Sequence, residues 1–284
     1  MSALKLAAVL WLAATTAAAD VVIEVAAARG DVLVARWRYQ VTHTGREALT
    51  DARFTAAVPL PRHGDLTLLR LRVTHPASRT PSGLEVRLGR LEPGASAMVT
   101  VTAELARGGV ARDRAAATPA GTSTPSTPAI AAFADAVRAA PQGKRGEALL
   151  ATLSHLTPDS FHAAPRAVEN TLRLGRGDCT DLALVVAAVA SAAGLPTRLA
   201  SGWPLGASGL LGPEAFHDWA EIFEGGRWRA VDLHARAVDR TDLVATFTAT
   251  DGTTGRRFST NEPQLDIRML APGGTTGAPS GGAR

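Results

Sequence analysis

What is scarce in this chain narrows its chemistry before any motif is read. There is one cysteine, Cys179, in 284 residues. A lone cysteine cannot close an intramolecular disulfide, so it is a buried small hydrophobe, an intermolecular linker or a reactive thiol. Lysine is nearly absent: Lys5 and Lys144 are the only two among 30 basic residues. Positive charge therefore rests on arginines spread along the chain, a pattern ascribed to genome composition. With a net charge of only +4 and no basic stripe, the sequence carries no nucleic-acid footprint. The histidines include no helical His-x-x-x-His pair or other ligand spacing, so no metal and no cofactor is implied. After the first nineteen residues no apolar run approaches the roughly 20 residues that span a bilayer.

Those first residues, MSALKLAAVLWLAATTAAA, have Lys5, an apolar run from Leu6 to Ala14 and the small residues Ala17 to Ala19 before Asp20. This pattern predicts an export signal over 1–19, with a periplasmic or secreted product and no stable membrane insertion after its cleavage. Residues 20–106 are dominated by short alternating runs such as VLVARWRYQV (32–41), ARFTAAVPL (52–60), LEVRLGRL (84–91) and AMVTVTAEL (97–105), separated by Pro and Gly turns. They predict an antiparallel β-sandwich of immunoglobulin-like type, serving as a spacer or binding module. Its histidines His43, His63 and His75 fall in or beside turns, where solvated histidines are ordinary. Residues 107–128, centred on TPAGTSTPSTP, read as a Pro/Thr/Ala-rich linker, and 271–284 as a disordered tail.

Between linker and tail, 129–270 reads as a second domain of α+β type. Ala129–Ala140 places Ile130, Phe133, Ala134 and Val137 on one helical face, and a short helix fits Gly146–Leu156. After a Gly-rich stretch, Cys179–Ala193 is apolar-periodic through Leu182, Val185, Val186 and Val189, and Gly194 with Pro196 ends it. Segments 195–203, 216–224 and 227–235 read as strands. Cys179 thus sits in the first turn of a helix, where free N–H groups and the positive dipole end favour a thiolate. Gly177, just before it, would let a substrate backbone approach the sulfur.

Glu224-Gly225-Gly226-Arg227 has the composition of a two-residue hairpin turn, which places Glu224 opposite Arg227. Trp219 then faces Asp232 and His217 faces His234. His217 and Asp232 emerge on one face as diagonal neighbours, about 7–8 Å apart at the backbone. A thiol nucleophile needs such a pair, one group to take its proton and another to hold that base in the right tautomer. In this register His234 serves equally well as the working imidazole.

The segment GRGDCTDLALVVAAVASAAGLPTRLASGW followed by FHDWAEIFEGGRWRAVD resembles the core of the transglutaminase-like superfamily. That resemblance implies a papain-like core with a Cys, His, Asp triad at Cys179, His217 and Asp232. The likeness rests on Gly-x-Cys, on Gly194-Leu195-Pro196-Thr197-Arg198, on His-x-Trp at His217 and Trp219, and on Trp228 with Asp232. Asp218 departs from the small residue usual between His and Trp, and Leu233 from the Pro that often follows the Asp. Gly177, Asp178, Trp203, Asp218 and Trp219 are the candidates for the substrate cleft, with the backbone N–H of Cys179 an oxyanion donor. The implied activity is cleavage of an amide bond in a protein or peptide through a thioester, with hydrolysis favoured over glutamine transamidation. A catalytically silent envelope scaffold is the rival reading.

Overall fold

Period-2 alternation shapes the first half of the chain. In a computed structural model that describes residues 21–24, 31–107, 127–161, 164–205, 211–249, 251, 253–260 and 262–270, eight strands come first. They are β1 (Val21–Glu24), β2 (Asp31–His43), β3 (Leu49–Ala56), β4 (Arg62–His63), β5 (Leu66–Val73), β6 (Ala77–Thr80), β7 (Gly83–Leu91) and β8 (Ser96–Arg107). The expected signal segment 1–19, residues 108–126 of the expected linker 107–128 and the tail from 271 lie outside the described residues, while Arg107 ends β8 and Thr127 and Pro128 start the first helix.

Along β2 every second side chain, Ala35, Trp37, Tyr39 and Val41, is buried. The same alternation buries Val99, Val101, Ala103 and Leu105 on β8, its antiparallel neighbour. These residues meet Phe54 of β3 and Leu84 and Val86 of β7 in a single apolar core. Fully burying one such side chain is worth about 1.5–3 kcal/mol, so this core outweighs any surface contact.

The second half supplies α1 (Pro128–Ala139), α2 (Arg145–Thr152), β9 (Thr157–Pro158), α3 (Val168–Leu174), β10 (Arg176–Gly177) and α4 (Cys179–Ala192). Strands β11 (Thr197–Pro204), β12 (His217–Glu224), β13 (Arg227–Asp232), β14 (Ala237–Val238) and β15 (Leu243–Ala249) follow, then β16 (Phe258–Ser259) and β17 (Leu265–Met269). Thr127 caps α1 by accepting the Ile130 N–H, and Pro128 fits the first turn, where its missing N–H costs nothing. The apolar face of α4 (Leu182, Val185, Val186 and Val189) packs with Ile130 of α1 and with Leu199, Ala220, Ile222 and Val231 of a five-stranded sheet ordered β14-β13-β12-β11-β15. The Gly225-Gly226 turn has φ of 63° and 79°, a conformation that glycine adopts without strain, and it sets the register Glu224↔Arg227 through Ala220↔Val231.

The structure corrects the expected domain boundary. Residues 258–269 do not stay with the second domain. β16 pairs with β3, and β17 pairs with β2 from Leu265↔His43 to Met269↔Tyr39. The alternation of LDIRM explains this, since Leu265, Ile267 and Met269 face the core of the N-terminal sheets. One sheet is therefore six-stranded (β1-β5-β8-β2-β17, with β4 on β5) and the other four-stranded (β16-β3-β7-β6).

Two histidines expected in solvent are buried. His43 bonds the Glu92 carbonyl and the Gln264 side chain, and His63 bonds Glu221 of β12. Both turns were read without the segments that return over them.

Candidate active site

Asp178 starts α4. Its extended backbone (φ −74°, ψ −178°) leaves its carboxylate free to accept the Asp181 N–H at 2.9 Å. This capping fixes where α4 begins and leaves Cys179, half-buried, as its first residue. Gly177 plays a different part from the one expected. It is buried, and a Cβ there would lie 2.6 Å from Asp181 Cβ and 3.0 Å from Thr171 Cγ2. The glycine is demanded by packing between α3 and α4, not by an approaching substrate.

His217 opens β12 and Asp232 ends β13, so the register of one hairpin brings them together. His217 Nε2 lies 2.9 Å from Asp232 Oδ2. The imidazole also hydrogen-bonds Cys179, which leaves Nδ1 for the sulfur. Asp232 is itself held firmly: Oδ1 accepts the Ala235 N–H at 3.0 Å and Oδ2 accepts from Arg240 Nη1 at 2.7 Å. Burial alone would lower the His217 pKa, but the hydrogen bonds and charges of Asp232 and Cys179 prevail and raise it to about 9. Burial would likewise raise Asp232, yet its bonds to His217, the Ala235 N–H and Arg240 carry it below the ordinary carboxylate value. At neutral pH the arrangement is a carboxylate, an imidazolium and a sulfur in series. His234 stands opposite, exposed, with its ring centroid 5.3 Å from that of His217. Although the residue is exposed, partial desolvation of its ring, with the charge of His217, depresses its pKa, and His217 is the imidazole beside both Asp232 and Cys179.

Asp218, the next residue of β12, reaches the first turn of α4 at Thr180. Asp218 is buried, accepts from Thr180 Oγ1 and Ser201 Oγ at 2.5 Å each, and is raised above the usual carboxylate range chiefly by burial. Asp178, Cys179, His217 and Asp218 line a cleft of about 870 Å³. Its opposite wall, Thr254 to Phe258, was not singled out from sequence. Nothing in those residues marks a site; only the return of the chain to the N-terminal sheets puts them there. Phe161, 80% exposed, stands at the same cleft and was likewise missed.

The two tryptophans expected in the cleft lie behind it. Trp203, 0% exposed, stacks on Trp37 of β2 at 5.7 Å and meets Phe216 edge-on at 4.9 Å. It belongs to the core of the N-terminal sheets. Trp219 stacks against the inner side of His217 at 6.2 Å and donates its Nε1–H to Glu221 Oε1. Glu221 also binds His63 at 2.7 Å and Arg198 at 2.6 Å, and the Arg198 guanidinium lies 4.3 Å over Trp228. Burial would raise the Glu221 pKa, but its contacts with His63 and Arg198 reverse that and lower it to about 2. Thus Arg198 and Trp228, which carry part of the sequence resemblance, brace the five-stranded sheet from within, while Trp219 backs the His217 ring and meets His63 of the N-terminal sheets edge-on. Among the described residues no group of three or more His, Cys, Asp or Glu is placed to hold a metal ion, and no helix is long and apolar enough to cross a membrane.

A thiol at a helix start, an imidazole and a carboxylate paired on an antiparallel hairpin, and the helix packed on that sheet define a papain-like arrangement. Residues 115–233 match the family model of the transglutaminase-like superfamily, and the chain carries a domain of that superfamily. The chain resembles the structure of a candidate cysteine protease from Cytophaga hutchinsonii, at 17% identity and a TM-score of 0.51, over 91% of this chain and 95% of the other. That coverage takes in the N-terminal sheets as well as the core. It also matches the periplasmic domain of TgpA from Pseudomonas aeruginosa (17% identity, TM-score 0.39, 74% and 95% covered) and LapG of Legionella pneumophila (15%, 0.36, 43% and 72%). Comparison with curated protein sequences finds no match.

Proposed function

We propose that this is an exported cysteine-dependent enzyme that cleaves amide bonds of a protein or peptide, with Cys179 as nucleophile, His217 as base and Asp232 as the group that orients it. The observation that carries the proposal is the His217 imidazole, bound through Nε2 to Asp232 at 2.9 Å and interacting with the Cys179 thiol beside it in the cleft. In the proposed cycle Cys179 Sγ, its proton taken by His217, attacks the carbonyl carbon. As the C–N bond breaks, the imidazolium returns the proton to the departing amine and a thioester remains. Water, deprotonated by the same imidazole, then releases the acid and restores the thiol. Water is proposed as the acceptor, with a second amine, as in glutamine transamidation, as the alternative. The N-terminal sheets are read as an immunoglobulin-like module that supports the core, and the first nineteen residues as the export signal.

Because Cys179 is the only cysteine, its chemistry can be read from the mass of the intact chain. Iodoacetamide at pH 6 is expected to alkylate the wild type at least tenfold faster than free cysteine, and His217→Ala should abolish the excess. Equal, slow rates in both proteins would favour a silent scaffold. Incubation of a glutamine-containing peptide with an amine probe then separates the outcomes by mass, hydrolysis leaving the probe unincorporated and transamidation incorporating it.

A further inference from the structure

Two hydroxyls converge on one buried carboxylate, and one of them ties it to a third segment. Thr180, the residue after the nucleophile, donates its hydroxyl to Asp218 Oδ2 at 2.5 Å. From the sheet, Ser201 donates to Oδ1, also at 2.5 Å. The Ser201 oxygen in turn accepts the Gly255 N–H at 2.7 Å, and Gly255 lies in the wall that faces the thiol. Ser201 is fully buried, and a Cβ on Gly255 would sit 2.9 Å from that of Ser201, so the wall presses directly on the strand at this point. Hydroxyl-to-carboxylate bonds are among the stronger hydrogen bonds, and in a buried setting they are costly to break.

We propose that Asp218 is a positioning residue that couples the far wall of the cleft to the nucleophile: one carboxylate fixes the first turn of α4 through Thr180 and residues 253–258 through Ser201. The proposal rests on reading Cys179 as the nucleophile. Asp218 touches no reacting atom in this scheme. It sets where the sulfur stands relative to His217 and how the opposite wall stands relative to both. The wall is anchored at its other end by the N-terminal sheets, where the Arg257 carbonyl accepts the Ala57 N–H at 2.9 Å and the Tyr39 hydroxyl at 3.3 Å. Asp218 holds the end of the wall that those sheets do not.

Two readouts on the full chain test the coupling, the rate of Cys179 alkylation by iodoacetamide at pH 6 and amide exchange over residues 253–258. Asp218→Ala should slow alkylation and speed exchange at Gly255, each by about tenfold, the scale of one lost charge-assisted hydrogen bond. Ser201→Ala should speed the exchange and leave alkylation at the wild-type rate, and Thr180→Val should do the reverse. Asp218→Asn, which keeps an acceptor for Ser201 and offers an amide to the Thr180 oxygen, should restore most of the protection at Gly255. If the wild type reacts fast but Asp218→Ala changes neither readout, or only one, the coupling is overturned. Should Asp218→Ala fail to fold, the two hydroxyl variants decide, and unchanged exchange in Ser201→Ala or unchanged alkylation in Thr180→Val overturns it. A wild-type thiol no faster than free cysteine overturns the nucleophile reading and the coupling with it.

Discussion

The most informative single group is the imidazole of His217. Its folded pKa, about 9 against 6.5 for an ordinary histidine, means that the charged form is bound more tightly than the neutral one. The linkage has a definite sign: stabilisation by this group is complete below about pH 6.5 and disappears as pH rises through about 9, amounting to roughly 3 kcal/mol. Urea midpoints measured from pH 7 to 10 should therefore fall, and His217→Asn should remove that fall. An NMR titration of the ring should find its midpoint near 9 in the wild type. Asp232→Asn, which deletes the negative partner, should move that midpoint down toward 6.5, the ordinary histidine value. A midpoint that stays put would mean that the carboxylate does not hold the charge. Alkylation of Cys179 at pH 6 in the same variant should drop about tenfold or more, as expected when the base loses the group that orients it.

At the scale of elements, the contact between the five-stranded sheet and the N-terminal sheets includes Trp203 on Trp37 and His63 on Glu221, whose carboxylate Arg198 also holds from within its own sheet. Truncating a buried tryptophan costs about 3–5 kcal/mol, so Trp203→Ala should lower stability by that amount in urea titration. His63→Ala leaves Glu221 buried with Arg198 and the Trp219 N–H and should cost about 2 kcal/mol, less than stripping a buried charge of every partner. The Glu221 pKa is depressed, so its contribution is complete above about 4.5, the ordinary value, and is lost as pH falls through about 2. Tryptophan emission should consequently be unchanged between pH 7 and pH 4.5. These elements also show what the sequence makes legible. Strong period-2 runs announce β2, β3, β7 and β8, and a Gly-Gly turn fixes the hairpin so tightly that His217 and Asp232 could be paired before any coordinates. Trp203, in contrast, lies in a strand whose two faces are both covered, and no local pattern tells a cleft from a second core. His63 follows the same logic, because a turn histidine is solvated only until a distant strand covers it. Short strands such as β16 and β17 hold too few residues for their period to stand out.

For the whole molecule, the decisive feature is the return of the chain to the sheets where it began. Leu265, Ile267 and Met269 complete the first core, and burying them is worth about 5–9 kcal/mol together, comparable to the 5–15 kcal/mol by which a domain is stable at all. A chain ending at Gly255 should accordingly lose its cooperative urea transition, and Ile267→Asp in the full chain should come close to doing so. A truncated chain that still unfolds in one sharp step would show that β17 is an ornament on a finished sheet. The first sheets therefore cannot close until residues 258–269 have come back to them. The same return lays residues 254–258 along the cleft that Cys179 lines. A fragment that stops before this stretch would keep the sulfur, the imidazole and the carboxylate yet lack part of the groove around them.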